Sequence, residues 1–401
     1  MARLGDVCTI YTGTGFPTQY QGETSGDYPF YKVGDISKNV TKGNVYLQEC
    51  DNYVSEEVAK KLKGTIVPAD TVVFAKIGEA VKLNRRAITV KNCLVDNNAM
   101  GICPDQEKLN LSYFYHYMCS IKLETFAEAT TVPSVKKSAI DNIDIPLPTY
   151  EDQTRISSIM DSVCELICHK KHQINLLDEL VKSRFVEMFG NINNKIPISK
   201  LCDVTGGYSF KSADISSNGA IKVLQIGNVY LDNVNWETIN YLPEGYEENY
   251  SRFLLKAGDV VVELTRPIIQ SLGNVKVCIV KPSDLPCLLN QRVGRIVAKN
   301  EKTVYLDYIY GCLMTDDFTK YVESCSIGCS QPNISTKNIE NYLIPNATYE
   351  QQKIYVEFKE QTDKLKFAVQ NAADLQIMLI LNLANYHWKH RASVSDKGVK
   401  L

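Results

Sequence analysis

Several features that mark other classes of protein are missing from this sequence. Neither sign of charge is in excess, since 44 Lys and Arg stand against 46 Asp and Glu, a net charge of −2. No apolar run of about 18 residues exists, and the best candidate, 375–383, is interrupted by Gln376 and Asn382, so no membrane-spanning helix is expected. The first residues lack the apolar core of a signal peptide, and we expect a cytoplasmic protein.

Cysteine is too sparse for a disulfide scaffold, because the 13 cysteines among 401 residues are odd in number and irregularly spaced. The nearest approach to a metal site is Cys164 and Cys168 with His169 and His172, whose spacing would place them on a helix. Small thiols along a helix contact are the favoured interpretation. We therefore expect no metal and reduced thiols.

Common catalytic patterns are also missing. No Pro-Pro pair occurs, although the loop with which adenine methyltransferases hold a flipped base requires one. Gly13 and Gly15 lie in a Thr-Gly-Thr-Gly run that favours a turn over a cofactor loop, and no Gly-x4-Gly-Lys-Ser/Thr motif is present. Asp105 and Glu107 are too close together for the separate metal ligands of a nuclease. We expect neither catalysis nor a cofactor.

The chain repeats itself. Residues 131–153 align without gaps on residues 330–352, including a Thr-Tyr-Glu triplet in both. Chance would not place further matches in the same order, so a tandem duplication is predicted. The upstream matches pair 4–7 with 201–204, 33–36 with 226–229, and 68–73 with 256–261.

Each half begins with a region rich in short β-branched runs broken by turn residues, such as 65–67 followed by Pro68. These regions, 1–149 and 191–348, are predicted to be two β-rich domains. They are expected to contain a few helices, such as 111–123 and 306–322.

A long helix is predicted after each domain. In 150–190 and 349–388 apolar residues recur at steps of three and four, and the only Pro or Gly is Gly190. The expected fold is α+β, with two domains joined by two long antiparallel helices in a pseudo-two-fold tandem repeat and a tail at 389–401. Independent helices on separate cores are the alternative. The expected contact residues are Ile159, Val163, Leu166, Leu177, Leu180, Phe358, Leu365, Val369, Leu379 and Leu383.

The doubled order of domain and helix resembles the specificity subunits of Type I restriction–modification systems. The supporting motifs are the Ile-Pro segments with their Glu and Gln residues, 145–153 and 344–352, and the glycine-containing segments 12–16 and 206–210. The second repeat has Asn-Ala at 346–347 where the first has Leu-Pro, which affects only a local loop.

The resemblance implies that each domain is a target-recognition domain for one half of a split double-stranded DNA site. It also implies that the helices set the gap and dock two methyltransferase subunits, that motor-nuclease subunits join the complex, and that this chain is not an enzyme. Two alternatives remain open: the recognition part of a fused restriction–modification enzyme, and a rod-like interaction protein that does not bind DNA.

Basic residues follow the turns at Asp70 and Asp259, at matching positions of the two halves. Such clusters would neutralise phosphates, while nearby polar side chains would contact base edges. The candidate DNA-binding residues are Gln19, Tyr20, Lys76, Lys82, Asn84, Arg85, Arg86 and Lys91 in the first half, and Tyr208, Arg252, Arg266, Gln270, Gln291, Arg292 and Arg295 in the second.

Overall fold

The computed structural model describes four stretches of the chain, and side chains are described over the same stretches except at 128, 373, 375–377 and 379–395. The described stretches are 1–128, 133–265, 273–325 and 334–395.

Two compact units make up the protein. The first contains Met1–His172 and the chain from Gln370 onward, and the second contains Gln173–Val369. In the described stretches, none of the helices has the length and apolar character needed to cross a membrane.

The first unit contains β-sheets built from short strands, several of which are rich in β-branched residues. Antiparallel pairs join Ala2–Arg3 to Asp144–Ile145, and Ala127–Glu128 to Ser134–Val135. A three-stranded sheet has the order Tyr53–Val54, Tyr28–Tyr31, Leu94–Val95. The five-stranded sheet has the order Cys8–Thr12, Ala99–Pro104, Val72–Ala75, Arg86–Thr89, Tyr46–Leu47.

The second unit shares much of this plan, although its larger sheet has four strands instead of five among the described residues. A pair joins Lys195–Pro197 to Leu343–Pro345. A three-stranded sheet has the order Tyr241–Leu242, Ile221–Leu224, Cys287–Leu289, and a four-stranded sheet has the order Cys202–Gly206, Val293–Ala298, Val260–Glu263, Val277–Ile279.

Strand register is the same in both units. Gly101 faces Tyr11 on one side and Val73 on the other, and Arg295 faces Thr205 and Val261 in the same way. A one-residue slip would turn every side chain to the opposite face of the sheet. The predicted duplication therefore extends to the pairing of individual residues.

One sequence match was wrong. Leu4 corresponds to Ile198 rather than to Leu201, because the N–H of Leu4 donates to Ile143 O (2.9 Å) as that of Ile198 donates to Tyr342 O (3.0 Å). The similar residues at 4–7 and 201–204 are therefore three residues away from structurally equivalent positions.

The match of 33–36 with 226–229 is confirmed by a shared turn. The Asp35 carboxylate accepts from Lys32 N at 2.7 Å, and the Asn228 side chain accepts from Gln225 N at 3.1 Å. Both residues hold the first turn of a short helix that follows a strand.

Short helices surround the sheets. The α-helices of the first domain are Leu4–Val7, Val33–Thr41, Glu56–Lys61, Leu111–Ser120 and Lys137–Asp141, and those of the second are Tyr246–Asn249, Leu306–Leu313, Asp316–Ser324 and Thr336–Asn341. The 3₁₀ turns are Thr18–Tyr20, Glu79–Val81, Leu123–Phe126, Ile198–Lys200, Ser212–Asp214, Ile226–Asn228, Ser251–Phe253 and Pro282–Asp284. The helix predicted over 306–322 is divided at Thr315, whose side chain caps the second piece.

The two long helices are Tyr150–Phe189, of 40 residues and here called the central helix, and Tyr349–Ser395, of 47 residues and here called the C-terminal helix. Both begin with the same cap: Thr149 Oγ1 accepts from Asp152 N and Thr348 Oγ1 from Gln351 N, each at 3.2 Å. At about 1.5 Å per residue they extend about 60 and 70 Å.

The main apolar core of the second unit includes residues of both long helices. Phe189 and Tyr355 are buried with Tyr308, Phe318 and Ile296 of the domain. Both long helices are therefore part of the folded unit, because Phe189 and Tyr355 form one wall of this core.

Candidate nucleic-acid interface

A close approach of two chain segments, made possible by glycine, recurs in both domains. Thr14 N donates to Val95 O and Tyr208 N donates to Leu289 O, each at 2.9 Å. A Cβ on Gly13 would lie 1.7 Å from the carbonyl oxygen of Asp96, and one on Gly207 would lie 2.2 Å from that of Asn290. Glycine is therefore required by packing at both positions.

This approach supports a two-residue turn in each domain. The first turn is Asn97–Asn98 and the second is Gln291–Arg292, and all four residues are exposed. The carbonyl of Asn98 accepts from Lys76 N (2.8 Å), and that of Arg292 accepts from Leu264 N (2.9 Å). Tyr208, Gln291 and Arg292, selected separately from the sequence, are thus brought together.

Sequence reasoning missed Asn97 and Asn98. Their neighbours 94–96 correspond to 288–290, and that similarity of two apolar residues followed by Asp or Asn could have identified them. Both residues lie outside the basic cluster at 76–91, whose positive charge was the sequence signal for DNA contact.

Aromatic rings surround the second turn. Tyr208 is 39% exposed, and its ring centroid lies 4.7 Å from that of Tyr250 and 5.4 Å from that of Phe253. The N–H of Gln291 donates to Tyr208 O (3.0 Å). Exposed tyrosine rings supported in this way keep their orientation, and they offer both an apolar face and a hydroxyl to a ligand.

The prediction that Arg86 and Asn84 contact DNA was wrong. Arg86 is only 2% exposed, and its guanidinium donates to Asn84 O (2.5 Å), Asn84 Oδ1 (3.0 Å) and Ile121 O (2.8 Å). Burial lowers the pKa of Arg86. Asn84 Oδ1 also accepts from Leu123 N (3.0 Å), so both side chains hold the sheet to the segment after helix Leu111–Ser120.

Arg295 also has a structural role rather than the predicted one. Its guanidinium donates to Leu254 O (2.9 Å) and Arg252 O (3.0 Å) and lies 3.5 Å from the Asp259 carboxylate. Arg295 lies on a central strand and is half-buried, so its head group holds the turn Ser251–Phe253. The side chain of Arg252 itself remains exposed.

The other candidates of the first domain lie at or near the surface. Gln19 is exposed in a 3₁₀ turn with half-buried Tyr20. Exposed Lys82 forms an ion pair with Glu79 (2.9 Å), and Lys91 Nζ lies 5.2 Å from the ring centroid of Tyr53. Lys76 and Arg85 are half-buried. Arg266 and Gln270 fall outside the described residues.

A buried glutamine connects each domain to its long helix. Gln153 Oε1 accepts from Asn110 N (2.8 Å), and Gln352 Oε1 accepts from Tyr305 N (3.0 Å). Their amide groups donate to Pro148 O and Ala347 O, each at 3.1 Å. Each residue is 1% exposed, so the Glu-Gln motif fixes how a helix leaves its domain.

Within the second unit the long helices run antiparallel. Phe189 and Phe185 contact Tyr355, with centroids 5.6 and 5.3 Å apart, and Asp178 pairs with Lys366. An earlier residue of the central helix, Asp178, thus contacts a later residue of the C-terminal helix, Lys366, than Phe189 does. Aromatic rings and an ion pair form this part of the contact.

The predicted apolar stripe was partly wrong. Leu180 is 49% exposed and Leu365 is 56% exposed. Aromatic and charged residues make the contact between the helices instead. Val163 is buried, whereas Ile159, Leu166, Leu177, Phe358 and Val369 are half-buried. The side chains of Leu379 and Leu383 lie outside the described residues.

Charged groups extend the contact toward the second domain. Lys359 pairs with Asp307 and with Asp363, each at 2.9 Å, and Lys366 also reaches Asp363 (3.2 Å). Burial alone would lower the pKa of Lys359, but the two carboxylates outweigh it and raise the pKa. Asp307 belongs to helix Leu306–Leu313, so this network joins domain and helix.

Cysteines serve as small packing residues where they are buried. Burial raises the pKa of Cys202 and of Cys287 to about 12, so both remain protonated thiols. Cys164 and Cys168 are exposed on the central helix. Across the described stretches no three His, Cys, Asp or Glu side chains gather into a potential metal site.

Comparison with known proteins gives consistent results. The family described as Type I restriction modification DNA specificity domain matches residues 1–179 and 193–377. The Type I restriction enzyme MjaVIII specificity subunit of Methanocaldococcus jannaschii is 33% identical over 386 residues, which cover 91% of this chain and 86% of the relative. The EcoAI specificity subunit of Escherichia coli is 30% identical over 190 residues, 45% of this chain and 31% of that one.

Two solved structures share the fold. The S subunit of a Type I restriction–modification system from M. genitalium aligns with a TM-score of 0.50 and 13% identity, covering 95% of this chain and 94% of that one. A chain from a study of assembly and conformational transition of the type I R-M system aligns with a TM-score of 0.51 and 16% identity, covering 96% and 94%. With its two matched segments and its similarity to a specificity subunit over nearly its whole length, this chain belongs to the Type I restriction–modification DNA specificity family.

Proposed function

We propose that this chain is the DNA-specificity subunit of a Type I restriction–modification complex and recognises a bipartite site on double-stranded DNA. Residues 1–149 act as the first target-recognition domain and residues 191–348 as the second. Each contacts one half of the site, and the chain itself performs no chemistry.

The observation that carries this proposal is the duplicated turn. Exposed polar residues occupy the same position in both domains, on equivalent strands and beside equivalent glycines. Two equivalent surfaces in one chain suit a target with two halves, because each surface can contact its own short DNA segment. Family membership supports DNA as that target.

The long helices, 150–190 and 349–388, act in this proposal as the spacer between half-sites and as the docking surface for two methyltransferase subunits. Motor-nuclease subunits join the same assembly. The capped ends and the buried Gln153 and Gln352 support a spacer role, since a gap of fixed length requires each helix to leave its domain at a fixed angle.

The test is to express the full chain with the methyltransferase subunits of its source cell and to map methylated bases in the host genome. The expected result is one motif with two specified halves and an unspecified gap of constant length. Binding of the purified assembly to DNA that contains the motif should weaken steeply with salt.

Three outcomes would contradict the proposal. A continuous motif would contradict the bipartite site. Methyl transfer by the isolated chain would indicate a fused enzyme. Failure of the folded, assembled complex to bind DNA at low salt would favour a rod-like interaction protein.

A further inference from the structure

We infer that Asn97 and Asn98 in the first domain, and Gln291 and Arg292 in the second, contact base edges and so specify sequence in the two half-sites. This inference rests on the proposed function and identifies the residues that would carry it out.

The two turns occupy equivalent positions in their domains. Each follows a strand of a three-stranded sheet, Leu94–Val95 or Cys287–Leu289, and precedes a strand of the larger sheet. The hydrogen bonds from Lys76 N and Leu264 N reach the last residue of each turn. Two separate domains that share a DNA-reading task would be expected to use the same position.

Hydrogen bonds hold the backbone of the first turn, whereas the side chains of Asn97 and Asn98 are exposed. Asn98 N donates to Asp96 Oδ1 (2.9 Å), and its carbonyl accepts from Lys76 N. The carboxylate of Asp96 therefore forms the turn, and the amides of Asn97 and Asn98 are not needed for it. Among described residues, neither side-chain amide group, that of Asn97 or that of Asn98, has a hydrogen-bond partner within the protein.

The second turn shows the same division. Gln291 N donates to Tyr208 O (3.0 Å), and Arg292 O accepts from Leu264 N (2.9 Å). Both side chains are exposed, and the Arg292 guanidinium makes no ion pair with a described acid. Arg86 and Arg295 differ from Arg292, since their side chains are less exposed and their head groups donate to backbone carbonyls.

The chemistry of these side chains indicates which bases they would contact. Asn and Gln can form two hydrogen bonds with the major-groove edge of adenine, and Arg can do the same with guanine. The first half-site is therefore expected to depend on an adenine, and the second on a guanine with an adenine beside it. Lys76 lies next to the first turn, where its backbone N–H donates to Asn98 O, and it would supply positive charge there for a phosphate.

The experiment uses the full chain assembled with its methyltransferase subunits and a library of duplexes randomised in one half-site at a time. Asn97→Ala with Asn98→Ala should reduce discrimination by about 10-fold at one or two positions of the first half-site only. Gln291→Ala should do so in the second half-site only. Exposed Gln48→Ala and Lys302→Ala are the controls and should retain the full motif.

Arg292→Lys distinguishes a base contact from a phosphate contact. Lysine keeps the positive charge but lacks the rigid, planar pair of N–H donors with which arginine matches guanine. Discrimination at one position should fall by about 10-fold while the salt dependence of binding stays unchanged. Retention of full discrimination in this variant would identify Arg292 as a phosphate contact and would overturn its assignment.

The two proposals can fail separately. If the unaltered complex shows no bipartite motif, the proposed function fails. If it shows the motif and the folded Asn97→Ala, Asn98→Ala variant retains every preference, the function stands and the assignment of the first turn is overturned. Circular dichroism on each variant verifies folding, which exposed side chains without internal partners should not alter.

Discussion

At the scale of single residues, the position of a charge in the sequence did not reveal its role. Arg85 and Arg86 are adjacent in a basic cluster, yet only Arg86 is buried and bonded to carbonyl groups. Arg86 is the first residue of the strand Arg86–Thr89, whose four residues are all buried, whereas Arg85 precedes the strand and is half-buried. A role in DNA binding therefore remains a prediction for Arg85 alone of this pair.

Arg86→Met should destabilise the protein by about 3 kcal/mol, because Asn84 O, Asn84 Oδ1 and Ile121 O would each lose a hydrogen bond from a buried guanidinium. Arg85→Met, one residue away, should cost less than about 1 kcal/mol. Urea denaturation followed by circular dichroism measures both. Equal effects of the two substitutions would contradict the structural role of Arg86.

Gly13→Ala should destabilise the first domain by about 3 kcal/mol or more, because its new Cβ would overlap the backbone of Asp96. Gly15→Ala is the matched control, since a Cβ there meets nothing within 4 Å, and it should cost less than about 1 kcal/mol. Thermal denaturation compares the two variants. A stable Gly13→Ala protein with unchanged DNA discrimination would show that the close approach is dispensable.

At the scale of elements, the long helices are held by specific contacts rather than by a uniform apolar stripe. Phe185, Phe189 and Tyr355 join them within the second unit, whereas Leu180 and Leu365 face solvent. Periodicity alone identifies an apolar face without revealing which residues meet a partner, because aromatic and paired charged residues can replace leucine there. Charge at Leu365 is consequently not expected to loosen this contact.

Phe185→Ala should destabilise the second unit by about 3–5 kcal/mol, since this ring of the central helix packs against Tyr355 of the C-terminal helix and Tyr308 of the domain. Val186→Ala is the control: this neighbouring side chain is 61% exposed, and its loss should cost less than about 0.5 kcal/mol. Scanning calorimetry of the full chain measures the effect. Similar transitions for both variants would show that the helix contact contributes little.

At the scale of the whole molecule, duplication predicts separable functions. The two domains have the same pairing of the sheet strands that flank each turn, and equivalent turns and helix connections. The main cores assigned to the two units consist of different residues. A change confined to one domain should therefore leave the other intact. This modularity distinguishes the proposed specificity subunit from a protein in which both domains form one combined site.

Exchange of residues 191–348 for the corresponding segment of a family member with a different target should change one half of the methylated motif. The other half and the gap should be retained, because residues 1–149 and both long helices are untouched. Mapping of methylated bases in cells with the exchanged chain gives the result. A motif altered in both halves, or in neither, would contradict modular recognition.

The sequence by itself determined the duplication, the two long helices and the family. These features can be identified from the sequence alone, because a helix forms its hydrogen bonds between residues four apart and a duplication leaves similar residues in both repeats. Only the tertiary structure decided that Leu4 corresponds to Ile198, that backbone carbonyls hold the head groups of Arg86 and Arg295, and that 97–98 matches 291–292. Burial and strand pairing join residues far apart in the chain, so they are decided where segments meet in space rather than by neighbouring letters.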